Sequence, residues 1–291
     1  MRTILRVLLK VLAVGLVFFI GEMVGGMAAG AIGLVTPEMP AGADPGTIML
    51  LLLACSAGIA ATLGYLAAHL AGPYVLRWLA LAASGWAIYS LNTYLDAVIY
   101  TTYTSASPYK LVMDAVALIL AGALAARIFS PRSDLAVQPA PQLTLSGWAW
   151  RLALAWAAFP IIYLGFGKIV EPLVIDMYRE QMLGMTAPGW GQIISMQMLR
   201  SAAFLTVLLG LLALWNRPRR SAWLPLGIST FLLLWGFYGI QAYWLPVGFR
   251  LAHTLEILAD SLVYAFLLSV LFAPGTVTRD VRAAKLSNEV G

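Results

Sequence analysis

Cysteine, histidine and charge are all scarce in this chain. Cys55 is the single cysteine, and only two histidines, His69 and His253, occur in 291 residues. A lone cysteine allows no intramolecular disulfide and no paired-cysteine metal or redox motif. The H-E-x-x-H, G-x-S-x-G and P-loop lysine motifs are missing, so no metallopeptidase, serine hydrolase or nucleotide-phosphate chemistry is announced. His69 and His253 fall at different depths of their segments, which argues against a haem held by both. The shortage of charge says most. Only 11% of residues are charged and 61% are hydrophobic, where a soluble domain carries about 25% charged residues. The net charge of +5 then reports topology and not affinity for nucleic acid.

The apolar residues fall in long runs. A hydrocarbon core about 30 Å thick needs roughly 20 apolar residues per helix. Runs of that kind occur at 4–35, 47–71, 76–103, 110–129, 148–175, 191–215, 222–245 and 249–273. The N-terminal stretch imitates a signal peptide, but its apolar core continues to Val35, so it reads as the first span. These runs predict an all-α, polytopic, multi-pass protein of the cell membrane with eight transmembrane helices and membrane lipids around it.

Basic residues set the expected orientation. With eight spans, Arg2, Arg6, Lys10, Arg77, Arg127, Arg132, Arg217, Arg219, Arg220, Arg279, Arg282 and Lys285 share one side. Lys110, Arg179 and Arg250 hold the other. The positive-inside rule places both termini in the cytoplasm. Trp78, Trp148, Trp150, Trp190, Trp215, Trp223 and Trp244 lie near helix ends, as interfacial residues do.

The chain also echoes itself. "WAIYSLNTY" from Trp86 and "WGFYGIQAY" from Trp235 share the pattern W-x-x-Y-x-x-[N/Q]-x-Y. "GEMV" at Gly21 matches "GKIV" at Gly167, and "FSP" ending at Pro131 matches "FAP" ending at Pro274. Asp114 then falls near Glu256. The expectation is two tandem four-helix halves, 1–130 and 148–275, related by an axis along the membrane normal. A cytoplasmic linker, 131–147, joins them, and a cytoplasmic tail, 276–291, follows.

Charges inside a bilayer are costly and by default mark function. Counted along the helices, they cluster in the non-cytoplasmic half: Glu22, Lys168, Glu171, Arg200, His253, Glu256 and Asp260 form the expected ligand-binding site or ion-pair network. His253, Glu256 and Asp260 share one helix face at i, i+3, i+7 spacing. Glu22 and Lys168, equivalent in the repeat and opposite in charge, are a candidate pair. Gly21 and Gly25 form a G-x-x-x-G that suits close helix packing, although "EMVGGM" leaves a helix break open. "VEP" at Val170–Pro172 is a place for the fifth helix to bend or end. Met177, Met182, Met185, Met196 and Met198, with Met23 and Met27, could offer thioethers to Cu(I); packing is the favoured role, and no metal site is assigned.

The leading functional expectation is a small transporter or solute-binding protein whose charged site takes a small molecule or an ion. The alternative is a non-catalytic subunit or assembly factor, partnered by other membrane subunits. An intramembrane enzyme using Glu256 or Asp260 with His253 as acid or base is a third class, and it lacks a nucleophile or metal motif. Nothing in the sequence names a cofactor.

Overall fold

The computed structural model describes residues 2–38, 42–101, 108–130 and 141–273. The expected tail and most of the expected linker lie outside these residues. Ten α-helices are formed among them: α1 (Arg2–Ala31), α2 (Pro45–Ala68), α3 (Tyr74–Gly85), α4 (Asn92–Tyr100), α5 (Tyr109–Ile128), α6 (Leu145–Arg179), α7 (Trp190–Ala213), α8 (Trp223–Phe231), α9 (Phe237–Gln241) and α10 (Val247–Leu271). A π-helical stretch, Trp86–Leu91, joins α3 to α4 without a break, and a second, Leu232–Gly236, joins α8 to α9. No strand forms among the described residues. Seven helical paths there are long and apolar enough to cross a membrane: α1, α2, α5, α6, α7, α8–α9 and α10. The protein is therefore a multi-pass helical membrane protein. The α3–α4 path falls outside those seven and carries Arg77, Asn92 and Asp96.

Local chemistry explains where the helices start and how they survive their prolines. Asp44 caps α2: the Thr47 backbone N–H donates to its carboxylate at 2.7 Å and the Thr47 hydroxyl at 2.8 Å, and Pro45 follows as the first helical residue. These donors, the backbone N–H first, hold Asp44 below the usual carboxylate range. Helix α6 runs 35 residues with Pro160 and Pro172 inside it, so "VEP" does not end the helix. Proline at 160 deprives the Trp156 carbonyl of its helical partner. The Ser201 hydroxyl from α7 donates to that carbonyl at 2.6 Å instead, the kind of substitution that lets proline persist in a membrane helix.

Helix α1 is also unbroken through its glycines. A Cβ on Gly21 would stand 2.5 Å from the Ala117 Cα, and one on Gly25 would stand 2.4 Å from the Met113 carbonyl oxygen. Only glycine permits this approach of α1 to α5, so the G-x-x-x-G is a packing surface.

The packing falls into two sets. In residues 2–130, α1 packs on α2 and α5, and α3 packs on α5. In residues 141–273, α6 packs on α7 and α10, and α8 packs on α10. Between the sets, α2 lies against α8–α9 and α7 lies against α3–α4, while the two π stretches touch.

One end of the bundle gathers the start of α1 and the ends of α2, α5, α7 and α10. There the Lys10 ammonium donates to the Ile128 carbonyl at 2.5 Å, and Trp148 meets Phe272 with ring centroids 5.6 Å apart. Trp215, expected at an interface, is only 1% exposed and stacks on His69 at 5.1 Å. Packing between the sets claims its ring, leaving none to lie at the interface.

Candidate functional site

At the opposite end, a cavity of about 460 Å³ opens between the two sets. Its rim comes from connections: Pro37 and Glu38 before α2, Leu183 and Met185 after α6, Trp244 and Leu245 before α10. Its floor reaches Phe159, Ser261 and Tyr264. From Phe249 to Tyr264, α10 descends roughly 22 Å along this wall at about 1.5 Å per residue. The rim segment is unusual. Gln181 and Leu183 have φ of 52° and 53°, a left-handed conformation that glycine favours. The Thr186 N–H is bonded to the Tyr100 carbonyl at 2.8 Å, which ties that segment to the end of α4.

Four of the seven expected site residues line this cavity: Arg200, His253, Glu256 and Asp260. Arg200, on α7, pairs with Asp96 on α4 and lies over the Tyr163 ring, 5.6 Å from its centroid. Asn92 donates to the other Asp96 oxygen at 3.0 Å. On α10, His253 Nδ1 stands 2.7 Å from a Glu256 oxygen; the carboxylate accepts, so Nδ1 carries the hydrogen. The His253 ring is held between Phe249 and Trp235, with centroids 4.3 and 5.4 Å away. Asp260, one turn deeper, is 3% exposed, and its Oδ1 has no hydrogen-bond partner. The i, i+3, i+7 stripe thus faces the interior.

The other three residues lie elsewhere. Glu22 is buried between α1 and α5, beside Asp114 and Lys110, and both its carboxyl oxygens lack a hydrogen-bond partner. Lys110, on the cavity wall, reaches inward to Asp114 at 2.8 Å and lies over the Tyr89 ring. Lys168 and Glu171 pair with each other at 2.5 Å on the outward face of α6, and Lys168 also covers Trp190. The candidate pair of Glu22 with Lys168 is therefore not formed. Three residues of helix separate Lys168 from a closer carboxylate on its own exposed face, whereas Glu22 points into the other set.

The sequence reading missed the rings. Tyr100, Tyr163, Tyr178, Trp235, Tyr238, Phe249 and Tyr264 line the cavity, and the Tyr100 and Tyr163 hydroxyls are 3.1 Å apart. An aromatic residue within an apolar run gives no sign of which way it faces, which hid them. Asp96 was visible as a charge near the outer end of its helix, and only the fold supplied its partner. Among the described residues no three His, Cys, Asp or Glu side chains converge as a metal site would need. No family model matches the chain, and no curated protein or solved structure does so either.

Proposed function

We propose that this chain is a multi-pass protein of the cell membrane that binds a small solute in the cavity between its two sets of helices and serves its transport. The observation that carries the reading is a cavity of about 460 Å³ whose wall includes a buried carboxyl group, Asp260, with one oxygen that has no hydrogen-bond partner. Pockets of a few hundred Å³ with few, convergent polar groups are the usual form of a small-molecule site. A subunit whose charges serve only assembly would pair them and close the space.

The membrane arrangement in this reading has eight crossings, the α3–α4 path being the eighth, in two tandem halves about an axis along the membrane normal. Three observations support it. The Trp86 indole N–H donates to the Leu111 carbonyl at 2.9 Å, and that of Trp235 donates to the Thr254 hydroxyl at 2.9 Å. Leu111 and Thr254 are matched in the register set by "FSP" and "FAP". Each half has its π stretch beside that tryptophan. The third is an antiparallel bridge between Leu70 and Trp215: the Asn216 N–H donates to the His69 carbonyl, and the Ala71 N–H to the Leu214 carbonyl. A twofold axis through that bridge exchanges the two bonds, as in an isologous contact. Lys10, Arg77, Arg127, Arg217, Arg219 and Arg220 gather at that end, which favours a cytoplasmic assignment for it.

Single cysteines in a Cys55→Ser background test this reading in intact cells. Ala97→Cys on the cavity wall and Ser261→Cys at its floor are expected to react with a membrane-impermeant methanethiosulfonate from outside. A cysteine at Lys285 is expected to react only after permeabilisation. Transport requires Ser261→Cys to react from the cytoplasmic face too, in inside-out vesicles. A Ser261→Cys protein that folds and stays unreactive from both sides makes the space a dry void and overturns the reading.

A further inference from the structure

The cavity's charges do not balance. Four carboxyl side chains line the cavity, Glu38 at the rim and Asp96, Glu256 and Asp260 on the wall. The Arg200 guanidinium is taken by Asp96, and the Lys110 ammonium by Asp114. His253 donates Nδ1–H to Glu256. That leaves Asp260 with a buried oxygen and no donor, one helical turn below Glu256. A buried carboxylate without a partner is strongly unfavourable, and a group that brings both positive charge and a hydrogen satisfies it.

The space around that oxygen selects among cations. A metal ion needs several converging ligands, and no three His, Cys, Asp or Glu side chains converge in that way among the described residues. A volume of about 460 Å³ far exceeds a bare ion. Much of the rest of the wall is aromatic: Tyr163, Tyr178, Trp235, Phe249 and Tyr264 line it. Ring faces attract cations and cover apolar bodies at once. From this juxtaposition we infer that the cavity takes a small protonated amine with an apolar body, its N–H at Asp260 and Glu256 and its body among these rings. A quaternary ammonium offers charge but no hydrogen and leaves Asp260 Oδ1 unsatisfied. The inference rests on the solute-binding reading above and specifies its substrate class.

Binding to the purified full chain in nanodiscs tests it, read from calorimetry. Four probes share a 2-phenylethyl body and differ only in head group: 2-phenylethylamine, 2-phenylethyltrimethylammonium, 2-phenylethanol and 3-phenylpropionate. The amine is expected to bind at least tenfold more tightly than each of the others, and Asp260→Asn to remove that preference. Because the series is run on the unaltered protein, the result does not depend on the variant folding. Tyr163→Leu adds a check by weakening the amine more than the alcohol. Preference for the carboxylate, the alcohol or the quaternary ammonium overturns the amine and leaves the solute cavity standing. No binding by any probe also overturns the amine, and the Ser261→Cys labelling then decides separately whether the cavity reading survives.

Discussion

In the first half, α1 and α5 touch backbone to backbone at Gly21 and Gly25. In the second, the matching glycine, Gly167 on α6, faces the Glu256 carboxylate of α10, whose Oε1 would lie 3.3 Å from an added Cβ. Contact between α1 and α5 is far more extensive than between α6 and α10. In the proposed duplication, the register set by "FSP" and "FAP" matches Ala117 and Ala121 of α5 with Asp260 and Tyr264 of α10. Where the first half has methyl groups against glycine, the second has a carboxylate and a phenol. Small residues close a helix pair, and large polar ones hold it open and leave room for a cavity. In that duplication one architecture yields a tight half, with Glu22 and Asp114 buried and Lys110 reaching in to them, and an open half beside the cavity.

The largest expected effect breaks the tight half alone. Gly21→Ala places its Cβ 2.5 Å from the Ala117 Cα, and backbone must move to admit it. Overpacking of this kind costs about 2–3 kcal/mol. Gly167→Ala meets only the end of a flexible carboxylate and should cost less than about 1 kcal/mol. Unfolding in mixed detergent measures both. Equal losses would mean the two helix pairs are equally close, and the contrast would fail.

A second contrast compares buried carboxylates. Asp114 is fully buried and paired with Lys110 at 2.8 Å. Asp114→Asn removes the partner of a cation that is largely inside the protein. A fully buried pair broken on one side loses about 3–5 kcal/mol, and with Lys110 29% exposed a loss of about 2 kcal/mol is expected. Asp260→Asn alters a buried carboxyl group whose Oδ1 has no hydrogen-bond partner and should leave stability unchanged or raise it, while solute binding falls. A functional site commonly gives up stability in this way. Comparable destabilisation by both variants would make the His253–Asp260 stripe a structural network.

Much of this was legible in the sequence, for identifiable reasons. Apolar run length reports helix existence because lipid demands it, so the helices of both halves appeared within a few residues of their ends. The stripe at His253, Glu256 and Asp260 was legible because three polar groups on one face of an apolar helix must turn inward. Helix rotation was not legible where the helix is apolar all round. On α6, Ile161, Ile169 and Leu173 are each about 70% exposed, and nothing in their pattern shows that Lys168 faces outward with them. Tertiary donors were hidden too. The Ser201 hydroxyl that satisfies Trp156 beside Pro160 comes from another helix. The ring-lined wall emerged only when α4, α6, the α8–α9 path and α10 brought their tyrosines and Trp235 together.

The smallest expected effect concerns the charge pair that the repeat suggested. Glu22 and Lys168 occupy matched positions in "GEMV" and "GKIV", yet Glu22 is 2% exposed and Lys168 is 56% exposed at its side chain. Glu22 interacts with Asp114 and Lys110, and Lys168 with Glu171 and Trp190, so the two share no partner. Their substitutions should therefore add. In a double-mutant cycle of Glu22→Gln and Lys168→Met, the coupling is expected to lie within about 0.5 kcal/mol of zero. The Lys168–Glu171 cycle should itself give under about 0.5 kcal/mol, because the pair is exposed at i, i+3 spacing on a helix surface. A Glu22–Lys168 coupling above about 1 kcal/mol would require the two halves to communicate through these positions. The tight half would then not be a closed unit, and the contrast between a sealed pair of helices and an open one would have to be redrawn around the glycines alone.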